Sequence, residues 1–151
     1  MSEYSEKLRP SPGLYVIAAL AIPFFTLTLA PFNVIAGVAT GVFVFVVVIV
    51  ALNVSAPRII VTPRTFRAGK AVIDRRFIGA VSVYGGESAR AERGVNLDAR
   101  AWTLFRGFVD PVVKIAVLDE SDPTPYWLVS TRNPQELAAT LRTPDRPGFK
   151  S

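Results

Sequence analysis

Neither cysteine nor histidine occurs among the 151 residues. The first absence excludes disulfides, thiolate nucleophiles and cysteine metal sites, and it fits a reducing compartment. The second removes the commonest general base near neutral pH, the commonest metal ligand and every triad that works through imidazole. A P-loop, a glycine-rich dinucleotide turn and a G-x-S-x-G elbow are missing as well. A third absence is local. From Pro10 to Pro57 there is no Asp, Glu, Lys or Arg.

That uncharged run is filled mostly by Val, Ile, Leu, Ala and Phe. A bilayer core of about 30 Å takes roughly 20 helical residues, so the run is long enough for two passes. Leu14 to Ala30 and Val34 to Leu52 are the expected spans, with Pro31, Phe32 and Asn33 as the tight turn between them. Pro23 predicts a kink in the first span. In the second, Gly37 and Gly41 form a small-xxx-small pair for helix packing, against either the first span or a second copy in a homodimer. A secretory signal is a poor alternative, because Pro31 sits where cleavage would fall and another span follows at once. A soluble strand over Val42 to Val50 is poorer still, because so small a chain could not hide the neighbouring apolar run. Neither span carries an ionisable residue, which argues against a transport path.

The net charge of +5 is concentrated. Arg58, Arg64, Arg67, Lys70, Arg75 and Arg76 face one acid, Asp74, whereas Lys7 and Arg9 balance Glu3 and Glu6, and the chain from Phe77 onward is neutral overall. Basic residues at the outer ends of both spans, with none in the connecting turn, predict a multi-pass protein of the plasma membrane with both termini cytoplasmic. The six basic residues are candidates for contact with anionic lipid headgroups, alongside the simpler role of fixing orientation. Nucleic acid is not an expected partner, since the excess is tied to a lipid surface.

The organisation that follows is an N-terminal tail over residues 1–12, a transmembrane helical hairpin over 13–54 and a cytoplasmic domain over 55–151. Arg58 to Thr62, Phe66 with Arg67, Ala71 to Ile73 and Phe77 to Tyr84 read as strands of a meander, the last stopped by Gly85 and Gly86. Glu87 to Arg93 fits an exposed helical turn or a loop. Asp98 to Val109 and Val112 to Leu118 read as a hairpin around Asp110-Pro111, and Tyr126 to Thr131 as the last strand. Asp119, Glu120 and Asp122 invite a metal reading, but they lack the glycine and distal glutamate of an EF-hand loop, so a solvated loop is expected, with no metal and no cofactor. Asn133, Pro134 and Glu136 resemble a capping box opening an amphipathic helix with Leu137, Ala138 and Leu141 on its buried face.

Short strands closed by one C-terminal helix give the order of a pleckstrin-homology-like barrel, an analogy at the level of fold. The whole layout also resembles a family of small actinobacterial membrane proteins of unknown function. The resemblance rests on Tyr4 and Leu8-Arg9-Pro10, the two-span hairpin, Ala56-Pro57-Arg58-Ile59, and the block from Asp122 to Arg132 running into Pro134, Glu136 and Leu137. It implies an α+β membrane protein and no catalytic residues to carry over. Tyr126, Trp127 and Arg132 are candidates for partner contact, with core packing as the competing reading. The expected function is a binding or scaffold domain held at the inner membrane surface, docking a protein partner. The alternative is a membrane enzyme or lipid-handling protein that uses Asp74, Asp98 or the Asp119 to Asp122 cluster with arginine clamps; it needs two carboxylates converging on a pocket.

Overall fold

The computed structural model describes residues 2–143 and divides into two compact units: Arg9–Ala56, and the N-terminal residues through Leu8 together with the chain from Pro57 onward. The class is α+β, with two long apolar N-terminal helices and mainly antiparallel sheets.

In the first unit, α1 (Pro12–Ala19) and α2 (Ala21–Leu29) form one broken helix, and α3 (Val34–Val54) returns beside it. Pro12–Leu29 and Val34–Val54 are long and apolar enough to cross a membrane. The break falls at Leu20 rather than at Pro23 itself. A proline has no N–H and its ring presses on the carbonyl four residues earlier, here that of Ala19, so the distortion appears one turn upstream. Leu20 N–H accordingly donates back only three residues, to the Ile17 carbonyl at 3.2 Å. Asn33 caps α3 by accepting from Ala36 N–H at 3.1 Å. Gly37 and Gly41 lie on the α2-facing side of α3. A Cβ on Gly37 would stand 2.9 Å from Thr26 Cα, and one on Gly41 would stand 2.7 Å from Ile22 Cα. At the outer end, Tyr15 hydroxyl donates to Asn53 Oδ1 at 3.2 Å.

The second unit contains two four-stranded sheets. Strands β1 (Tyr4–Lys7), β2 (Arg58–Val61), β3 (Thr65–Ala68) and β4 (Ala71–Asp74) form an antiparallel meander in sequence order. The N-terminal tail therefore belongs to this unit as an edge strand, with Tyr4 opposite Val61 and Lys7 opposite Arg58. The second sheet has the order β5 (Ile78–Tyr84), β7 (Val112–Val117), β8 (Tyr126–Ser130), β6 (Trp102–Leu104). No closed barrel forms among the described residues. The predicted hairpin around Asp110-Pro111 is also absent: β7 is flanked by β5 and β8, and three-residue β6 runs parallel to β8. The reason is burial, since Val112, Val113 and Ile115 place β7 inside the sheet, where both edges must be paired.

The main core lies between the sheets. Tyr4, Leu8, Ile59, Val61, Phe66 and Ile73 meet Val113, Ile115, Trp127 and Val129, with Leu137, Ala138 and Leu141 of helix α5 (Pro134–Arg142). Trp127 sits 5.7 Å from the Phe66 ring and 4.8 Å from that of Trp102. A smaller cluster on the other face of the second sheet gathers Val112, Tyr126 and Leu128 under Ala89 of helix α4 (Gly86–Arg93). That helix is a packed element, and its first N–H, on Gly86, is capped from across the chain by Asp110 Oδ2 at 2.7 Å.

The capping box predicted for α5 does not form. Pro134 opens the helix, but the Asn133 side chain makes no cap bond, and Asn133 N–H donates to Thr131 Oγ1 instead. Glu6 of β1 supplies the remaining acceptors: its Oε1 takes Arg132 N–H at 2.9 Å, and its Oε2 takes the Tyr4 and Thr131 hydroxyls.

Candidate functional site

The six basic residues after the apolar run separate into two groups because β2, β3 and β4 alternate in direction. Leu8 N–H donates to the Pro57 carbonyl at 3.0 Å, which marks the end of the sheet where the chain leaves for residue 9 and returns. Arg58 and Lys70 belong to that end, with Lys7 opposite Arg58; Gly69, with a φ of +62° that suits glycine, turns the chain there and donates to the Arg58 carbonyl. Arg67 projects from the outer face of β3, in register between Ile60 and half-exposed Val72. Arg64, Arg75 and Arg76 stand at the opposite ends of the same strands, in the β2–β3 turn and in the 3-10 turn Arg75–Phe77 after β4.

Arg75 is not a surface residue. Its side chain is 7% exposed and pairs with Glu3 Oε2. It also donates to the carbonyls of Thr62 at 3.1 Å, Thr140 at 2.7 Å and Thr143 at 2.6 Å. One guanidinium thus ties the β2–β3 turn to the last turn of α5, whose carbonyls have no intrahelical donor. Its planar fork suits that task and leaves it unavailable to a headgroup.

Beside Arg75 opens a groove of about 800 Å³. Arg64, Arg76 and Arg142 stand on its walls, and Ile78, Val81 and Leu141 supply its apolar surface. Among the described residues Arg64 makes no side-chain bond, and Arg76 is 73% exposed, lies over the Phe77 ring and meets Asp74 at 3.4 Å. Arg142 spends one donor on the Val81 carbonyl at 2.6 Å. Asp74 is the one carboxylate among the groove's described lining residues, and its Oδ1 accepts Arg76 N–H, so it shapes the 3-10 turn.

The other candidate acids are engaged in local turns. Asp98 accepts from Arg100 N–H and pairs with its guanidinium, which holds the carboxyl below its usual range. Asp119 accepts from Ser121 N–H, and Asp122 from Thr124 N–H, whose bond lowers the Asp122 carboxyl. No group of three potential metal-ligating side chains exists among the described residues. Among the described residues the most enclosed acid is Glu92 on α4, which pairs with Lys114 at 3.0 Å and accepts from Asn96. That bond holds the Lys114 ammonium above its usual value, and the same ammonium lies 4.3 Å from the Tyr126 ring centroid.

Tyr126 and Trp127 are 9% and 6% exposed, so they are core residues and offer no partner surface. The Tyr126 hydroxyl accepts from Asp98 N–H at 2.8 Å and donates to the Asn96 carbonyl. Arg132 lies with its guanidinium 5.7 Å from the Phe108 ring centroid.

A family model, described as a protein of unknown function (DUF3093), matches residues 3–141. The chain belongs to the DUF3093 family. In this DUF3093 protein the matched stretch takes in β1, both apolar helices, both sheets and nearly all of α5, so Arg64, Arg75 and Arg76 fall inside it and Arg142 just outside. No curated protein and no solved structure matches the chain.

Proposed function

We propose that this protein is a two-span membrane protein that presents a small pleckstrin-homology-like binding domain on the cytoplasmic side of the plasma membrane. The observation that carries the reading is the pairing of β1 with β2. Residues on both flanks of the apolar hairpin enter one folded unit, so any membrane the hairpin crosses must be crossed twice. The basic flanks then favour the cytoplasm for both termini. Lys7, Arg58, Arg67 and Lys70, with the apolar Ile60 and Val72 between them, suit contact with an anionic leaflet, each charge near the surface being worth up to about 1 kcal/mol.

A binding role is favoured over catalysis by the distribution of carboxylates. The described groove has one acid and three accessible arginines, and the other candidate acids are spent on turns. The test is topological. Reporters fused at each end should both be active only in their cytoplasmic form, and alkaline washing should leave the protein in the membrane. A periplasmic carboxyl end, or release of intact protein at alkaline pH, would overturn the reading.

A further inference from the structure

The geometry points to the groove beside Arg75 as a binding site for a phosphate group, held by Arg64, Arg76 and Arg142 with the rest of the ligand against Ile78, Val81 and Leu141. The inference goes beyond membrane anchorage, and a soluble probe tests it independently of that reading.

Three features carry it. The arginines come from three separate elements, the β2–β3 turn, the 3-10 turn and the last turn of α5, and converge on one groove of about 800 Å³. Like charges so gathered repel, and they are stable together only where solvent or an anion screens them. Secondly, among the described residues their donors are largely unspent: Arg142 uses one on the Val81 carbonyl, Arg76 has a single exposed ion pair, and Arg64 makes no side-chain bond. Thirdly, Arg75 is buried behind them with its donors given to Glu3 and three carbonyls, so the floor is fixed before any ligand arrives.

The choice of phosphate follows from counting acceptors. A carboxylate offers two oxygens in one plane and a single charge, whereas a tetrahedral phosphate offers three oxygens and close to two charges to forks arriving from different directions. Guanidinium stays protonated throughout the accessible pH range, so affinity should follow the ionisation of the ligand and not of the site. The phosphate could belong to a lipid headgroup or to a soluble phosphorylated molecule.

The experiment titrates the full-length protein, in neutral detergent micelles at low salt, with inorganic pyrophosphate and with soluble dihexanoyl phosphatidic acid, followed calorimetrically. Wild type should bind at least one probe, and Arg64→Gln combined with Arg76→Gln should weaken that binding at least tenfold. Both side chains are exposed, so the variant should keep the wild-type melting transition. Arg90→Gln combined with Arg100→Gln, two exposed arginines outside the groove and outside the basic strands, should leave affinity within twofold. Phosphatidate binding tenfold tighter than pyrophosphate would uphold the site and assign it to a lipid phosphate; equal or weaker binding would uphold it for a soluble one. Absence of binding by wild type at millimolar probe overturns the proposal. So does unchanged affinity in the groove variant, or an equal loss in both variants, which would mean diffuse attraction.

Discussion

Arg75 and Arg64 are eleven residues apart, carry the same charge and are both arginine, yet their environments assign them opposite tasks. Replacing Arg75 with Ala would leave three backbone carbonyls without their donor and Glu3 without its partner. The expected cost is about 3 kcal/mol. Arg64→Ala should stay within about 0.5 kcal/mol, as for an exposed residue with no side-chain bond among the described residues. Both of the chain's tryptophans lie in the sheet unit, so unfolding followed by their emission reads this unit alone. Tyr4 gives a pH signature. Burial pushes its hydroxyl from 10.0 up to about 12. Between those values the unfolded chain has lost a proton that the folded chain keeps, so stability should be intact below pH 10 and fall as pH rises towards 12. Tyr4→Phe should remove that alkaline limb, at a cost of about 1 kcal/mol at neutral pH for the lost bond to Glu6.

At the scale of elements, Gly41 and the Glu92–Lys114 pair offer contrasting tests. A side chain at Gly41 would meet the α2 backbone, which cannot yield as a flexible side chain can. Gly41→Leu should therefore separate α2 from α3 and speed amide exchange in both, whereas Gly13→Ala, with only Ser11 Oγ at 3.8 Å, should change nothing. Lys114→Met alone strands a nearly buried carboxylate and should destabilise by roughly 2 to 3 kcal/mol, while Lys114→Met with Glu92→Leu should recover most of the loss. Elements with strong local signals were legible in the sequence: the apolar helices, strands β2 to β4 with the Gly69 turn, and the helix opened by Pro134; β5 was legible as a strand, but the expected meander ends at β4, and β5 pairs with β7 in the second sheet. Strand β1 was hidden because its inward set is Tyr4, Glu6 and Leu8, and a glutamate at the central position breaks the apolar alternation. Its inward place makes sense only beside Thr131 and Arg132, which lie more than 120 residues away. The parallel pairing of β6 was equally invisible, since three residues carry no periodicity. Of the groove, Arg64 and Arg76 stood out by local charge density. Arg142 did not, because only the packing of α5 on β5 brings it to them.

For the whole molecule, the sheet unit is discontinuous in sequence, and its borders differ from a division at residue 55. Residues 55–151 alone lack an edge strand and two core side chains, Tyr4 and Leu8. Burying each such side chain contributes about 2 kcal/mol, a large share of the 5 to 15 kcal/mol that holds a typical domain together. That fragment should show a broad, non-cooperative melt. A chain in which residues 2–8 are joined by a short flexible linker to residue 57 onward should melt cooperatively, because Leu8 and Pro57 are already hydrogen-bonded neighbours.

The pairing of β1 with β2 also orders events during synthesis. The first strand leaves the ribosome some fifty residues ahead of its partner, so it must wait, unpaired, while the intervening helices are made. A nascent chain that threaded only one helix through the bilayer would leave its opening residues on the wrong side, and the sheet would lack its border. On the two-span topology proposed above, completion of the sheet is thereby a built-in inspection of insertion, and chains that fail it would expose Ile59 and Val61 to quality-control proteases.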